Sequence, residues 1–584
     1  MTRLASLGRA LAMRRFTLVA AVLGILLVAP SIPGGFQTED WVFRDVARAT
    51  PVSLENFNLW GGDGRLPERA IRERVRGQRQ RGLTPWVTSE AFSVSFFRPL
   101  ASLTHRLEFS LYPNRPALMH LQNVLWYGLT ILAAGLLYRR LLARAWVAGL
   151  ATLLYAVDDA HGHPVGWISN RNALIGASLS LLAIAAHDRW RRDGWRAGAW
   201  LAPSALGLGL LGSELALGAV GYLVAHAVFI DRASRPRRLA ASLPWLVVVA
   251  AWALGYHALG HGVSGSGLYL DPLHAPGDFV TAGAARVVVL LASAFGGPPA
   301  DLYSETTSLS LVAIASLAVL IVIVVAMAAT LGRDRVARFW ALGTALSALP
   351  VIAAFPEDRL LLLTGAGALA LVARFSEVAF SASSDGASGA RRAARAVAGL
   401  LLVVHLVAAP LLLPFRSLTM ARYEARLARA RESAYALAPT QRNTLVVLDA
   451  PDFYFATMML LTRISSGHSP APTLIVTGTL APVSVTGVTD DTLDVRVAGS
   501  FLAEPFNRIY RDASHPMRVG ETTNAPAALI TVTEIDHAGR PVAARFHFNW
   551  PVSGGRLVFA RWRAGQYERV APPAPGQTLI VKAR

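Results

Sequence analysis

Long apolar stretches separated by clusters of arginine are the feature that most restricts how this chain can fold. Eleven such stretches lie near residues 16–32, 117–138, 146–159, 172–187, 197–213, 215–230, 239–259, 308–331, 337–355, 360–375 and 396–414. A helix needs about 20 mostly apolar residues to cross a bilayer. The pattern therefore predicts a polytopic α-helical membrane protein with about 11 transmembrane helices. A shorter apolar run at 287–295 is predicted to be a re-entrant or surface helix.

The composition supports a membrane protein and argues against several soluble classes. Of the 584 residues, 53% are hydrophobic and 16% are charged, and the mean hydropathy is +0.41, whereas soluble domains carry roughly 25% charged residues. The basic residues behind the net charge of +19 are almost all arginine, and short clusters of them lie between the apolar stretches. That placement encodes membrane topology and is not typical of a nucleic-acid surface, so no nucleic-acid partner is expected. The absence of cysteine excludes disulfides and thiolate zinc sites, and it permits an oxidising compartment.

Arginines before the first apolar stretch set the predicted orientation. Arg9, Arg14 and Arg15 precede residues 16–32, and no clean signal-peptide cleavage site follows, so we expect an uncleaved first helix with a cytoplasmic N-terminus. The clusters at 139–144, 189–196, 232–238, 333–338 and 391–395 then all fall on the cytoplasmic side, which makes the C-terminus extracytoplasmic. The preference for arginine over lysine and the abundance of alanine and glycine indicate a GC-rich bacterial genome. With the apolar stretches, this predicts a multi-pass protein of a bacterial inner (plasma) membrane.

Two long segments are predicted to lie outside the membrane. Residues 1–414 form a transmembrane domain that includes an external loop, 34–116, with a turn at Gly61-Gly62-Asp63-Gly64. Residues 415–584 form a C-terminal extracytoplasmic α+β domain, because a charged helical pattern at 416–437 precedes alternating strand-like and helical runs. A flexible linker is expected at 381–390.

Acidic residues next to the first helix are candidates for catalysis. Glu39 and Asp40 follow that helix directly, beside Trp41. A carboxylate at a bilayer surface can act as a general base, because partial desolvation raises its pKa toward neutrality. The alternative is a solvated loop acid beside an interfacial tryptophan.

Arginine and histidine clusters on the same predicted side are candidates for binding an anion. Arg98 stands between aromatic residues and a proline, which suits a fixed anion contact, although an arginine that reaches to lipid headgroups is the alternative. His120 and Asn123 enter the second helix nearby.

The densest polar cluster lies between the third and fourth apolar stretches. Asp158, Asp159, His161 and His163 could bind a divalent metal, but their spacing fits no strong metal signature. His163 and Arg171 could instead bind a phosphate, or the segment could be a capped turn.

Charged residues also interrupt the apolar sequence at two later positions, and they are the last candidate site residues. Glu214 separates two apolar runs, and Arg359 lies in the sequence Pro356-Glu357-Asp358-Arg359, where it could face a lipid phosphate. Each alone could be an ordinary loop. Together, acids, arginines and histidines from distant loops share one membrane face, which is what a lipid-linked phosphate substrate requires.

Three of these segments resemble motifs of GT-C membrane glycosyltransferases. SFFRPLASLTHRLEFSLYPNRPALMHLQNVLWYGL resembles the "YRP…H..N" region of protein O-mannosyltransferase-like and aminoarabinose-transferase-like proteins. HGHPVGWISNRNALIGASLSLLA and GSELALGAVGYLVAHAV resemble two later motifs of the membrane half of TPR-bearing mannosyltransferase-like proteins. The likeness covers roughly residues 16–230. Where the family usually has Asp-Asp or Asp-Glu, this chain has Glu39-Asp40.

The resemblance implies a GT-C fold and a polyprenyl-phosphate sugar donor used on the external face. It implies that Asp40, with Glu39 as its neighbour, supplies the base, and that His163, Arg171 and Glu214 surround the donor phosphate or sugar. We therefore expect an inverting glycosyl transfer to an acceptor hydroxyl on a glycan, lipid or protein. Arg98, Arg171 or Arg359 would stabilise the phosphate leaving group, and no metal or other cofactor is required.

Two other functions fit the same sequence. A transporter or flippase of lipid-linked intermediates is disfavoured, because no internal repeat is found and the charges cluster at one face. A catalytically inactive membrane scaffold with a cell-envelope-binding tail remains the other alternative. If Asp40, Arg98, His163, Arg171 and Glu214 line one cavity, the enzyme is favoured. The stretch 265–271 is expected to form part of a lid or lipid groove.

Overall fold

The computed structural model describes residues 2–49, 66–272, 276–305, 309–332, 334–381 and 389–581. The predicted turn at 61–64 and the centre of the predicted linker at 381–390 lie outside these residues. Helices dominate up to residue 417, and strands dominate after residue 443.

Every predicted apolar stretch contains helix. In chain order the helices are α1 (Thr2–Ala12), α2 (Phe16–Val28), α3 (Glu39–Ala49), α4 (Glu68–Gln80), α5 (Pro99–Leu111), α6 (Pro116–Leu141), α7 (Ala145–Ala156), α8 (Gly162–Gly166), α9 (Arg171–Asp193), α10 (Gly198–Gly212), α11 (Gly218–Ala225), α12 (Arg235–Ala258), α13 (Pro276–Ala294), α14 (Asp301–Glu305), α15 (Leu309–Leu331), α16 (Arg335–Ala348), α17 (Thr364–Ser381), α18 (Gly389–Val403), α19 (Ala409–Ser417), α20 (Thr419–Leu437) and α21 (Phe453–Ser465). Short 3-10 helices connect several of them, including Ile168–Asn170, Glu214–Leu217, Asp358–Leu360 and Pro505–Tyr510.

The helical part of the structure contains several candidate membrane spans. Within the described residues, six helical stretches are long and apolar enough to cross a bilayer, and a seventh is added if α1 and α2, bent by 92°, count as one span. Shorter apolar helices occur at Ala145–Ala156, Gly198–Gly212, Glu214–Ile230 and Phe279–Ala294. The total of 11 spans stays a prediction.

The burial of the spans separates central helices from peripheral ones. The span at Ile168–Asp193 is 89% buried in its apolar window and forms the centre of the bundle. The span at Leu309–Ala328 is 17% buried, and its exposed Leu311, Ile321 and Val325 are suited to contact with lipid tails.

The apolar run at 287–295 is longer in the structure than the sequence predicts. It forms the second half of α13, and Val289 and Leu290 are fully buried in the core of the helical bundle. Its first half carries more small and polar residues, which is why hydropathy alone misses it.

The C-terminal region, residues 415–581, contains the helices α20 and α21 and most of the strands. Two short strands precede this region, β1 (Ser93–Ser95) and β2 (Gly262–Ser264). The strands within it are β3 (Thr444–Val447), β4 (Thr473–Ile475), β5 (Val483–Thr489), β6 (Thr492–Val497), β7 (Thr522–Ala525), β8 (Ala528–Ile535), β9 (Pro541–Phe548), β10 (Leu557–Arg563), β11 (Gln566–Arg569) and β12 (Thr578–Val581). In the part of the chain that the structure describes, β3 pairs in parallel with β4 and β10 in a four-stranded sheet of order β11-β10-β3-β4. An antiparallel six-stranded sheet has the order β12-β5-β6-β9-β8-β7. The region is thus α+β in content.

The external loop packs against the C-terminal region. Val75 of α4, Trp86 and Phe92 lie in the same apolar core as the strands of that region. The Trp86 indole donates its Nε1–H to the Val476 carbonyl at 3.0 Å. Residues from the predicted first domain therefore share an apolar core with the predicted second domain. The division of the chain into two domains at 414/415 stays a prediction.

Candidate active site

A cavity of about 560 Å³ lies where the bundle meets the C-terminal region. Its walls come from many separate segments, among them the start of α3, the turns before α5 and α9, the end of α12 and the starts of α20 and α21. The charged and imidazole side chains that line it are Glu39, Arg98, His105, His163, Glu214, His257, Asp271, Glu357, Arg359 and Asp452. Loops far apart in sequence thus bring their polar residues to one place.

Glu39 is the acid of the first pair that faces the cavity. It is the first residue of α3, and the Tyr454 hydroxyl donates a hydrogen bond to its Oε1 at 3.3 Å. Burial raises the pKa of the Glu39 carboxyl to about 6, while the positive charge of Arg359 and the Tyr454 hydrogen bond oppose that rise. A carboxylate with such a pKa is poised to exchange a proton near neutral pH.

Asp40 does not line the cavity, and only 1% of its surface is exposed. Its Oδ1 accepts hydrogen bonds from the Ser169 amide (3.0 Å) and the Ser169 hydroxyl, and its Oδ2 accepts one from the Gln37 amide (3.0 Å). Burial raises the pKa of Asp40 to about 7, although these hydrogen bonds oppose it. Asp40 therefore joins α3 to the turn before α9. Of the two predicted catalytic acids, Glu39 lines the cavity, whereas Asp40, which the resemblance implies is the base, does not.

Arg98 and Glu214 meet at one end of the cavity. Arg98 donates its Nε–H to Glu214 Oε2 at 2.7 Å, and its guanidinium lies 4.3 Å from the centroid of the Phe96 ring. The Asn172 amide, oriented to satisfy its neighbours, accepts a further hydrogen bond from Arg98 Nη1 at 3.2 Å. Ser213 caps the short helix Glu214–Leu217 by accepting from the Leu215 amide (3.3 Å), which fixes where Glu214 projects.

Arg359 lies on the same side as Glu39. It forms an ion pair through Nε with Glu357, and its guanidinium stands 5.8 Å from the Trp167 ring and 5.2 Å from the Phe355 ring. Burial alone would lower the pKa of Arg359, but the nearby Glu357 raises it above its ordinary value. Arg359 is therefore a permanent cation whose plane is held by aromatic rings.

His163 also lines the cavity but cannot serve as a cation. Its ring stacks on Trp167 at 5.6 Å between centroids. Burial, followed by the positive charge of Arg359, lowers the pKa of His163 to about 4. The neutral imidazole can exchange hydrogen bonds with a ligand, whereas charge attraction to a phosphate must come from the arginines.

Arg171, His120 and Asn123 lie in a buried network behind the cavity and do not line it. The fully buried Arg171 forms an ion pair with Glu108 and donates to Asn123 Oδ1 at 2.6 Å. The His120 ring bonds to the Gly35 carbonyl at 2.8 Å. These contacts hold α5, α6 and α9 together. The resemblance implies that Arg171 lies near the donor; in the structure its guanidinium pairs with the buried Glu108 and does not line the cavity.

Asp158, Asp159 and His161 also stay outside the cavity. Asp158 caps a turn by accepting from the Ala160 amide at 3.0 Å, and His161 Nδ1 bonds to the Tyr155 carbonyl at 3.0 Å. Asp159 lies 3.6 Å from Arg416 Nη1, and that guanidinium also contacts two further acids, Asp301 and Asp358. No group of three or more His, Asp or Glu side chains in the described ranges is arranged to hold a metal ion.

Several cavity residues escape sequence reasoning. Tyr423, Asp452, Tyr454 and Phe506 come from the C-terminal region, where no motif marks them. The stretch 265–271, predicted to form part of a lid or lipid groove, contributes three residues to the cavity wall: Tyr269, Leu270 and Asp271. Glu357 also lines the cavity, and its place two residues before Arg359 is the sequence feature that could have marked it as a site residue.

Part of the remaining wall is apolar or aromatic and comes from the helical region of the chain. Trp252 and Tyr256 of α12, Leu217, Val351 and Leu360 line this side. The cavity therefore combines fixed charges with a surface suited to a hydrocarbon chain.

No protein-family model and no curated protein matches this sequence. Among solved structures, the chain is similar to the oligosaccharyltransferase of Archaeoglobus fulgidus in its apo form, at 12% identity and a TM-score of 0.41, with 77% of this chain and 64% of that chain covered. It is also similar to ArnT from Cupriavidus metallidurans bound to undecaprenyl phosphate, at 14% identity and a TM-score of 0.34, with 91% of this chain and 97% of that chain covered. The chain thus spans less than two thirds of the length of the oligosaccharyltransferase.

Proposed function

We propose that this protein is an inverting membrane glycosyltransferase. It takes a sugar from a polyprenyl-phosphate donor and transfers it to a hydroxyl of a glycan, lipid or protein acceptor on the extracytoplasmic face of a bacterial inner membrane. This proposal is supported most by one observation: Glu39, Arg98 and Arg359 line one cavity, and part of its wall is made of apolar and aromatic side chains of the helical bundle, such as Trp252 and Val351. A base, two fixed cations and a hydrocarbon-compatible surface are the parts that this reaction needs.

Glu39 acts as the general base. The acceptor O–H gives its proton to the Glu39 carboxylate while the oxygen attacks the anomeric carbon. A new C–O bond forms, the bond between that carbon and the phosphate oxygen breaks, and the phosphate leaves with the electron pair. Because a phosphate is a good leaving group, no general acid is obligatory.

Arg359 and Arg98 hold the phosphate. In the structure each guanidinium is paired with a carboxylate, Glu357 and Glu214 respectively. An arriving phosphate replaces part of that pairing and keeps the terminal guanidinium nitrogens as donors, which stabilises the charge that develops on the leaving group. The neutral His163 offers one more hydrogen bond. The mechanism requires no metal.

The test uses the full-length protein in proteoliposomes with a panel of radiolabelled undecaprenyl-phosphate monosaccharides and a cell-envelope extract as acceptor. Glu39→Gln is expected to lower transfer by about 10²–10⁴-fold, while native mass spectrometry shows that undecaprenyl phosphate still binds. Glu73→Gln, exposed on α4, is the matched control and is expected to keep full activity. Movement of donor across the bilayer without a new glycosidic bond would contradict the proposal and favour a transporter.

A further inference from the structure

The residue before the proposed base has an unusual backbone. Thr38 has a φ of +40°, in the left-handed region that β-branched residues avoid, and its side chain is fully buried. Thr38 immediately precedes α3, so its backbone conformation determines how the first turn of α3, and with it the Glu39 side chain, is oriented. Surrounding contacts must hold such a turn in place.

One of those contacts comes from the C-terminal region. The Thr38 amide donates to Glu424 Oε2 of α20 at 2.9 Å. Arg431 Nη1 in turn contacts Glu424 Oε1 at 3.2 Å and Thr462 Oγ1 of α21 at 2.8 Å. The Glu424 and Arg431 side chains are 13% and 12% exposed, so the chain of charge-assisted bonds is shielded from water.

α21 adds two contacts to α3. The Tyr454 hydroxyl donates to Glu39 Oε1 at 3.3 Å, and Arg44 Nη2 donates to the Ser465 carbonyl at 2.6 Å. The bundle holds the other side of the same turn through Asp40 and Ser169. The start of α3 is thus fixed between the bundle and the C-terminal region.

We propose that Glu424 and Tyr454 are positioning residues for Glu39. Glu424 holds the left-handed turn at Thr38, and Tyr454 orients the Glu39 carboxylate and stabilises its ionised form. The C-terminal region is then part of the catalytic machinery and not only a binding module for the envelope. This inference rests on the proposed role of Glu39.

Several charged or titratable groups face Glu39 and, together with its burial, determine the pKa of its carboxyl. They are Tyr454 of α21, Arg359 of the 3-10 helix Asp358–Leu360, Arg98 before α5, Tyr269 after β2 and Asp40 on the same helix. Tyr454 and the two arginines favour the ionised carboxylate, and burial opposes them. Removing the Tyr454 hydroxyl takes away one stabilising donor, so the pKa of Glu39 must rise.

The first experiment measures that pKa without any substrate. Infrared difference titration of the full-length protein in nanodiscs detects the protonated carboxyl band, and its absence in Glu39→Gln assigns it to Glu39. Tyr454→Phe is expected to raise the titration midpoint by roughly 0.5–1 pH unit. The matched control is Tyr423→Phe, because the Tyr423 hydroxyl lies in the same cavity and has no hydrogen-bond partner among the described residues. An unchanged midpoint in Tyr454→Phe would overturn the role of Tyr454.

The second experiment tests the Thr38 turn by rescue. Glu424→Leu removes the acceptor of the Thr38 amide, and it is expected to lower kcat about tenfold with little change in KM for the donor. Adding Thr38→Gly, which adopts a positive φ without strain, should restore part of kcat. A double variant no better than Glu424→Leu would overturn the role of Glu424. If instead the infrared shift occurs but no variant or wild type transfers sugar, the proposed function fails while the positioning of Glu39 stands.

Discussion

Arg98 donates its Nε–H to Glu214 Oε2 over 2.7 Å, which joins two segments 116 residues apart in the chain. The sequence motifs around these two residues were separate candidates, and the structure brings them to the same end of one cavity. With Glu39, Arg359 and Glu357 they supply a candidate base, two cations and the carboxylate partner of each cation.

The two adjacent acids should behave differently on substitution. Glu39→Gln removes the proposed base and is expected to lower kcat by about 10²–10⁴-fold. Asp40→Asn keeps one oxygen for the Ser169 hydrogen bonds, so its loss in kcat should be about tenfold or less. Transfer assays with both purified variants check this, and a larger loss in Asp40→Asn than in Glu39→Gln would return the base to Asp40.

The rate of transfer should depend on pH through Glu39. The pKa of this carboxyl is raised to about 6, and only the ionised form accepts a proton. We expect kcat/KM to increase as the pH rises through about 6 and to level off above it. A pH–rate profile on proteoliposomes measures this. A rate that falls as the pH rises from 5 to 7 would mean that the essential group acts as an acid.

Asp40 should make stability depend on pH in the opposite sense to an ordinary paired carboxylate. Its pKa is raised to about 7 in the folded protein from 3.8, so the folded state binds a proton more tightly than the unfolded state. Its contribution is most favourable below pH 3.8 and is lost as the pH rises toward 7. Relative to Asp40→Asn, the Tm of the wild type should therefore fall between pH 4 and pH 8. Parallel melting curves for the two proteins would contradict the assignment.

Arg171 should matter for stability and not for donor binding. Arg171→Met leaves the buried Glu108 without its guanidinium partner and is expected to cost about 3–5 kcal/mol of unfolding free energy. The double variant Arg171→Met with Glu108→Leu should recover most of it, because both charges are removed. Thermal unfolding in detergent compares the three proteins. Full stability of Arg171→Met combined with lost binding of undecaprenyl phosphate would support the role that the sequence predicted.

Removing divalent metals should leave transfer unchanged. The proposed chemistry uses Glu39 as base and Arg98 and Arg359 for the leaving phosphate, and none of these steps needs a Lewis acid. Dialysis against EDTA followed by the transfer assay checks this. Loss of activity that Mg²⁺ or Mn²⁺ restores would show that a metal takes part.

The membrane helices and half of the site could be predicted from sequence because charged residues are rare and expensive near a bilayer. Arg98, His163, Glu214 and Arg359 stood out on that ground, and all four line the cavity. Arg171 stood out equally, but its partner Glu108 lies on a different helix, α5, which no local pattern connects to the start of α9. A buried ion pair and a ligand contact look the same in a sequence.

Other features depend on tertiary structure alone. Successive residues of a helix point about 100° apart, so whether Glu39 or Asp40 faces the cavity depends on how α3 is anchored. That anchoring comes from Glu424 and Tyr454, which lie in ordinary helical patterns far later in the chain. The apolar run that contains Tyr454 predicts a helix and nothing about a site.

The orientation of Arg359 should determine how well the phosphate binds. Arg359→Lys keeps the charge but loses the planar contact between the Trp167 and Phe355 rings, so we expect affinity for undecaprenyl phosphate to fall about tenfold. Arg496→Lys, an exposed pair with Glu534 in the C-terminal region, is the control and should bind normally. Native mass spectrometry with added undecaprenyl phosphate measures both, and equal affinity of the two variants would remove Arg359 from the phosphate site.

The most direct measurement is an experimental structure of the full-length protein with undecaprenyl phosphate added. We expect the phosphate to lie inside the 560 Å³ cavity, in contact with Arg359 or Arg98 and within reach of an acceptor held at Glu39, with the lipid chain along Trp252 and Val351. A phosphate bound elsewhere on the protein, with Glu39 and both arginines remote from it, would show that this cavity is not the donor site.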